Sequence, residues 1–139
     1  MNNCQPQWDL DLSFGKAGEE WLRTLMDTQT HCDECGATWK KFVEVKRERD
    51  RWKETGNLFF EFEYRGKPSG IAATKAHWWF IILTVDERNE GVLGFPVNAL
   101  RKRLRALHQT KQARIVDGGD FNRAKGLIVP MATLESLWQ

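Results

Sequence analysis

The fold is decided by the stretch Phe42-Val43-Glu44-Val45-Lys46. Its aromatic and β-branched residues predict a short β-strand. Because side chains alternate between the two faces of a strand, Glu44 and Lys46 share one face and the two valines share the other. A carboxylate and an ammonium group therefore point into the same space.

Asp33 lies upstream of this strand, with ten residues between it and Glu44. An aspartate, a gap of hairpin length and a Glu-x-Lys triplet are residues that can hold a hard divalent cation between two carboxylates. The lysine beside them can contact a phosphate or a water molecule. The sequence thus predicts a divalent-cation site, with Lys46 next to it.

Length and composition indicate a single packed domain over residues 1–139. The hydrophobic content of 41% and the seven tryptophans favour a globular core over disorder. The longest apolar run, Ala76 to Leu83, is interrupted by His77 and is too short to span a bilayer. The first six residues lack the basic and apolar regions of a secretory signal. These features predict a soluble, cytoplasmic protein with no membrane partner.

The net charge of +2 is unevenly distributed. Residues 40–53 carry seven Lys or Arg against three Asp or Glu, and residues 101–114 carry six Lys or Arg and no acid. Two basic segments on an otherwise acidic chain favour a polyanion partner. The alternative is that both segments are ordinary solvated faces.

Cys32 and Cys35 form half of a zinc knuckle, and the third cysteine, Cys4, is far away in sequence. The odd count and a reducing compartment argue against a disulfide framework. A tetrahedral zinc site needs four ligands, and no second Cys/His pair follows. We expect a tight turn that contains thiols, and a zinc site remains the alternative.

The remaining pattern predicts a mixed β-sheet with helices on its faces. Ser13 is a candidate N-cap for an amphipathic helix that contains Glu19, and Gly15 and Gly18 in its first turns indicate close packing against a neighbour. Residues 58–64 and 78–85 read as strands, the second buried on both faces. Further predicted elements are short strands at 92–95, 113–116 and 126–130, a helix opened by Pro96 with Leu100, Leu104 and Leu107 buried, and a closing helix from Thr133 to Trp138.

A helix with Glu19, a hairpin with Asp33 and a strand with Glu44-Val45-Lys46 together resemble the PD-(D/E)XK nuclease superfamily, which includes restriction enzymes and Holliday-junction resolvases. The runs 55–61 and 65–71 are more narrowly similar to small phage-type members. The similar stretches cover residues 9–84. The resemblance implies an α/β, restriction-endonuclease-like mixed β-sheet core flanked by helices, in the cytoplasm of a bacterial host.

The resemblance also implies the chemistry of a Mg²⁺- or Mn²⁺-dependent endodeoxyribonuclease, a phosphodiester hydrolase. Asp33, Glu44 and the backbone carbonyl of Val45 would bind the metal, and Lys46 would orient the attacking water or offset charge in the transition state. Glu19 would support a second metal. Asp33 follows a cysteine where the family has a proline, and Glu34 stands beside it, so the first ligand is Asp33 or Glu34.

The expected substrate is DNA. Nothing in the sequence resembles a base-reading motif, so cutting selective for branched structures is preferred to cutting at a specific sequence, and such enzymes usually act as homodimers. Candidate phosphate contacts are Arg47, Arg49, Arg51, Lys53, Arg65, Lys67, Ser69, Arg101, Lys102 and Arg105. Two alternatives remain, a non-catalytic nucleic-acid-binding module on the same fold and a zinc-stapled interaction domain.

Overall fold

The apolar and alternating runs of the chain form seven strands in the part that a computed structural model describes, residues 14–22, 42–49, 51–118 and 120–138. The strands are β1 (Val43–Glu48), β2 (Asn57–Tyr64), β3 (Lys67–Pro68), β4 (Trp78–Val85), β5 (Arg88–Pro96), β6 (Arg114–Gly118) and β7 (Ala124–Pro130). The helices are α1 (14–22), α2 (Arg51–Thr55), α3 (Gly70–Ala73) and α4 (Val97–Gln109), with 3-10 turns at Asp120–Asn122 and Met131–Trp138.

These strands form two sheets where the sequence predicts one. The first sheet is mixed, with the order β1-β4-β5, and β1 runs parallel to β4. The second is antiparallel, with the order β3-β2-β7-β6. The α/β class is confirmed, but β2 leaves the mixed sheet. It does so because its apolar residues pair with those of β7, Leu58 with Val129 and Phe60 with Leu127.

Strand β4 is the centre of the packing, as its continuous apolar sequence predicts. Trp79, Ile81 and Leu83 on one face belong to the main core, which also includes residues of β2, β7 and α4. Ile82 on the opposite face packs in a second cluster, with Leu22 of α1 and Val45 of β1. Only the first residue of the strand, Trp78, is exposed. The strand therefore has helix α1 on one side and the second sheet on the other.

Helix α1 approaches the first sheet closely at a glycine. A Cβ atom on Gly18 would lie 2.8 Å from Cδ of Arg47 and 3.1 Å from Cδ1 of Ile82, so a larger residue would push the helix away. The predicted close packing is thus confirmed at Gly18. At Gly15 no atom lies within 4 Å of the corresponding position, and the prediction is wrong there.

Helix α4 follows the sequence prediction in detail. It begins directly after Pro96, and Leu100, Leu104 and Leu107 are buried in the main core. The C-terminal segment Met131–Trp138 is a 3-10 helix, which buries Leu134 against the same core. None of the described helices has the length and apolar character needed to cross a membrane.

Candidate functional site

Glu44 and Lys46 lie together on one face of β1, as the alternation of the strand requires. The Nζ atom of Lys46 is 2.7 Å from Oε1 of Glu44, and the two side chains are 46% and 35% exposed. In the parallel register Glu44 pairs with Trp79 and Lys46 with Ile81, so the two side chains lie beside residues of the main core. The pair is accessible to a ligand, and the ion pair itself contributes less than about 1 kcal/mol of stability.

The ammonium group of Lys46 is held from a second direction by an aromatic ring. Its Nζ atom lies 5.4 Å from the ring centroid of Trp79, within the range of a cation–π interaction. Trp79 is itself buried, and within the described segments its indole Nε1 has no hydrogen-bond partner. A rigid buried ring beneath a flexible lysine restricts where the charge can move.

The direction of the Val45 carbonyl follows from the alternation of carbonyls along β1. The carbonyl of Glu48 accepts a hydrogen bond from the hydroxyl of Thr84 and so faces β4. Because carbonyl directions alternate along a strand, we expect the carbonyl of Val45 to face away from β4. Among the described strands, β1 pairs with β4 alone.

Glu48 is a third polar residue on this face of β1, and the sequence analysis did not single it out. Its carboxyl is largely buried, and burial raises its pKa to about 7 although the backbone N–H of Phe59 donates a hydrogen bond to it. The alternation of the strand could have identified Glu48, because it lies two residues after Lys46 and so on the same face as Glu44 and Lys46. Its position at the buried end of the strand was not visible in the sequence.

The other predicted metal ligands are not brought into a cluster by the described residues. Asp33 and Glu34 lie outside these residues, as do Cys4, Cys32 and Cys35. Glu19 lies on α1, which packs against the valine face of β1, opposite the face that carries Glu44.

No group of three His, Cys, Asp or Glu residues that could hold a metal ion occurs in the described segments. The carboxylate of Glu44 and the carbonyl of Val45 are hard oxygen donors of the kind Mg²⁺ prefers. These two oxygen donors are of the right kind for a magnesium ion, but two protein ligands are too few to hold it. The ligand roles of Asp33, Glu34 and Glu19 therefore stay predictions.

The basic residues around β1 differ in the contacts that their side chains make within the protein. The guanidinium group of Arg47 donates hydrogen bonds to Asn89 Oδ1 (2.8 Å), the carbonyl of Phe14 (3.1 Å) and the carbonyl of Glu87 (2.9 Å). Arg47 therefore joins α1 to the β4–β5 turn. It has this structural role whether or not it also contacts DNA. Arg49 is exposed, with its Cζ atom 4.3 Å from the ring centroid of Phe14.

In the second basic segment, residues 101–114, an arginine is likewise bound to backbone carbonyls while other basic side chains are exposed. Arg101 donates from Nε and Nη2 to the carbonyls of Ile71 (2.8 Å) and Thr74 (2.6 Å), which stabilises the end of α3. Lys102 and Arg105 are exposed on α4. Arg105 also lines a largely apolar groove of about 590 Å³ between α3 and α4. Four other predicted phosphate contacts are exposed as well, namely Arg51, Lys53, Arg65 and Lys67.

The loop that contains Ser69 is fixed by its contacts with β2. The hydroxyl of Ser69 donates a hydrogen bond to Oε2 of Glu61 (2.9 Å), and its backbone N–H donates to the carbonyl of Phe62 (3.0 Å). Gly70 has a positive φ of 50°, and a Cβ atom there would lie 2.2 Å from the carbonyl oxygen of Glu61. A glycine is therefore required at this position, and Glu61 holds the Ser69 hydroxyl in place.

Comparison of the chain with known proteins finds no matching family model, no matching curated protein and no matching solved structure.

Proposed function

We propose that the protein is a metal-dependent DNA endonuclease of the PD-(D/E)XK type, with a restriction-endonuclease-like core, that cuts branched DNA. The observation that carries the proposal is the polar face of β1, where Glu44 and Lys46 lie 2.7 Å apart with their side chains 35% and 46% exposed. The carbonyl of Val45 would add a second oxygen donor beside them.

These groups act together on one phosphodiester, each with its own role. The carboxylate of Glu44 and the carbonyl of Val45 would hold Mg²⁺ or Mn²⁺ together with Asp33 or Glu34. Glu19, on the helix that packs against the opposite face of β1, is not part of this ligand set. When bound, the metal polarises the phosphodiester and lowers the pKa of an attacking water. Lys46, released from Glu44 but still over Trp79, donates to the phosphate oxygens and offsets the charge that grows on them.

The exposed cations support a nucleic-acid substrate. Arg49, Arg51 and Lys53, which follow β1, and Lys102 and Arg105 on α4 are exposed side chains of the kind that contact phosphate groups. Simultaneous cuts on two strands of a branched substrate need two active sites, so the proposal includes a homodimer in the cytoplasm. A non-catalytic DNA-binding module is the second candidate. The observation in its favour is that the Glu44 carboxylate is already paired with Lys46, as it would be in a protein that binds no metal.

A cleavage assay separates the two candidates. The purified chain is incubated with labelled duplex, flap and four-way DNA in Mg²⁺ and in EDTA. We expect Mg²⁺-dependent cuts, fastest on the branched substrates, and a loss on the order of 100-fold or more in Glu44→Gln. Glu63→Gln is the matched control, because Glu63 has nearly the same exposure and a 3.8 Å ion pair with Lys125. Binding of the same DNA without any metal-dependent cutting would reject the nuclease and leave the binding module.

A further inference from the structure

Two turns of the second sheet meet and place two aromatic and two arginine residues next to each other. The backbone N–H of Arg65, in the turn after β2, donates a hydrogen bond to the carbonyl of Arg123, which precedes β7 (2.9 Å). Tyr64 and Phe121 are the near neighbours of these arginines in the chain. We call the four residues the aromatic–arginine surface.

The rings of this surface are open to solvent. Phe121 is 86% exposed and Tyr64 is 40% exposed. A phenylalanine stabilises a protein by being buried, so Phe121 contributes almost nothing to the core. The backbone of Phe121 is also left-handed, with φ 57° and ψ 25°. This conformation is unfavourable for a bulky residue, and such outliers cluster at functional sites.

Each ring carries an arginine over its face. The Cζ atom of Arg65 lies 5.5 Å from the ring centroid of Tyr64, and that of Arg123 lies 5.0 Å from the ring centroid of Phe121. Both arginines and the nearby Lys67 are exposed. The acids of the neighbouring strands are Glu61, which accepts a hydrogen bond from Ser69, Glu63, whose carboxylate lies 3.8 Å from Lys125, and Asp117, which pairs with Lys125 across the sheet. Asp120 precedes Phe121 in the chain. The four residues of the surface themselves combine two flat π faces with two positive charges.

This combination is the one that binds single-stranded nucleic acid. Bases stack on exposed aromatic rings, and arginines contact the phosphates between them. The choice of DNA rests on the proposed function. We propose that the aromatic–arginine surface binds unpaired nucleotides of a DNA strand, with a base stacked on Phe121 and another on Tyr64.

Binding to a strand without bases tests the stacking. Fluorescence anisotropy in EDTA, where cleavage is suppressed, measures the affinity for a labelled single-stranded oligonucleotide and for the same backbone with abasic sites. We expect the wild type to bind the base-containing strand about 10-fold more tightly, the effect of a stacked base. Phe121→Ala and Tyr64→Ala should each reduce this preference without changing the affinity for the abasic strand. Phe121→Trp, which retains a ring, should keep it.

Ile115→Ala is the control, because Ile115 is an apolar side chain of the same sheet that is 48% exposed. It should leave the preference unchanged. Equal affinity for the two strands, no binding to either, or a full preference in Phe121→Ala would overturn the inference. Its failure is distinct from that of the proposed nuclease. A base preference without cleavage rejects only the nuclease, and Mg²⁺-dependent cleavage without a base preference rejects only the stacking surface.

Discussion

The buried carboxyl of Glu48 makes the stability of the protein depend on pH. Burial raises its pKa from 4.5 to about 7 in the folded state. Each pKa unit corresponds to about 1.36 kcal/mol, so the shift amounts to about 3 kcal/mol of unfolding free energy. Because the folded pKa is the higher one, the protonated carboxyl stabilises the fold fully below pH 4.5. That contribution is lost as the pH rises through 7.

The substitution Glu48→Gln removes the titration while it keeps the shape of the side chain and an oxygen that can accept from Phe59. Wild type and variant should be similarly stable near pH 4.5, and the variant should be more stable at pH 8 by about 3 kcal/mol. For a chain of this size that difference corresponds to about 10 °C in melting temperature. Urea unfolding followed by tryptophan fluorescence, in EDTA and across this pH range, measures the difference directly.

The control is Glu63→Gln, which removes an exposed ion pair and should change the unfolding free energy by less than about 1 kcal/mol. The reasoning is refuted if the difference between wild type and Glu48→Gln is the same at every pH. It is also refuted if the variant is the less stable protein at pH 8.

Three further predictions concern the surroundings of the site. Gly70→Ala should lower the unfolding free energy by about 2 kcal/mol or more, because of its positive φ and the carbonyl in its path; Gly15→Ala, in open helix, should raise it by up to about 1 kcal/mol in the same urea titration. Arg47→Lys should destabilise by about 2 kcal/mol, because lysine cannot reproduce three directed hydrogen bonds; Arg88→Lys, at an exposed 3.9 Å ion pair, should have almost no effect. Arg105→Ala should reduce the slope of log K against log salt for duplex binding by about 1 without loss of stability, and an unchanged slope would remove Arg105 from the DNA interface.

Local patterns predicted most of the individual elements. The continuous apolar run gave the bounds of β4 correctly, and the leucine spacing after Pro96 identified the buried face of α4. The division into two sheets was not predictable, because the paired residues of β2 and β7 are 60 to 73 positions apart in sequence. A period of two tells which residues share a face, but it does not tell which strand will lie next to them.

The candidate site was predictable to the same extent. Alternation alone placed Glu44 and Lys46 on one face of β1, and the structure brings them together. It could not show that Trp79 would lie beneath Lys46, since the contact depends on the parallel register of β1 and β4. Arg47 and Arg101 show that a basic segment does not reveal which charges are bound internally. Their sequence context indicated phosphate contacts, but their guanidinium groups donate hydrogen bonds to backbone carbonyls.

A double-mutant cycle on the rate of Mg²⁺-dependent DNA cleavage tests the central claim, that Glu44 and Lys46 act as one unit. We expect Glu44→Gln and Lys46→Ala each to lower the single-turnover rate on four-way DNA on the order of 100-fold. The double variant should be little slower than either single variant, because groups that act together are not additive. Wild-type cleavage by any of the three variants, or no metal-dependent cleavage by the wild type, would contradict the claim.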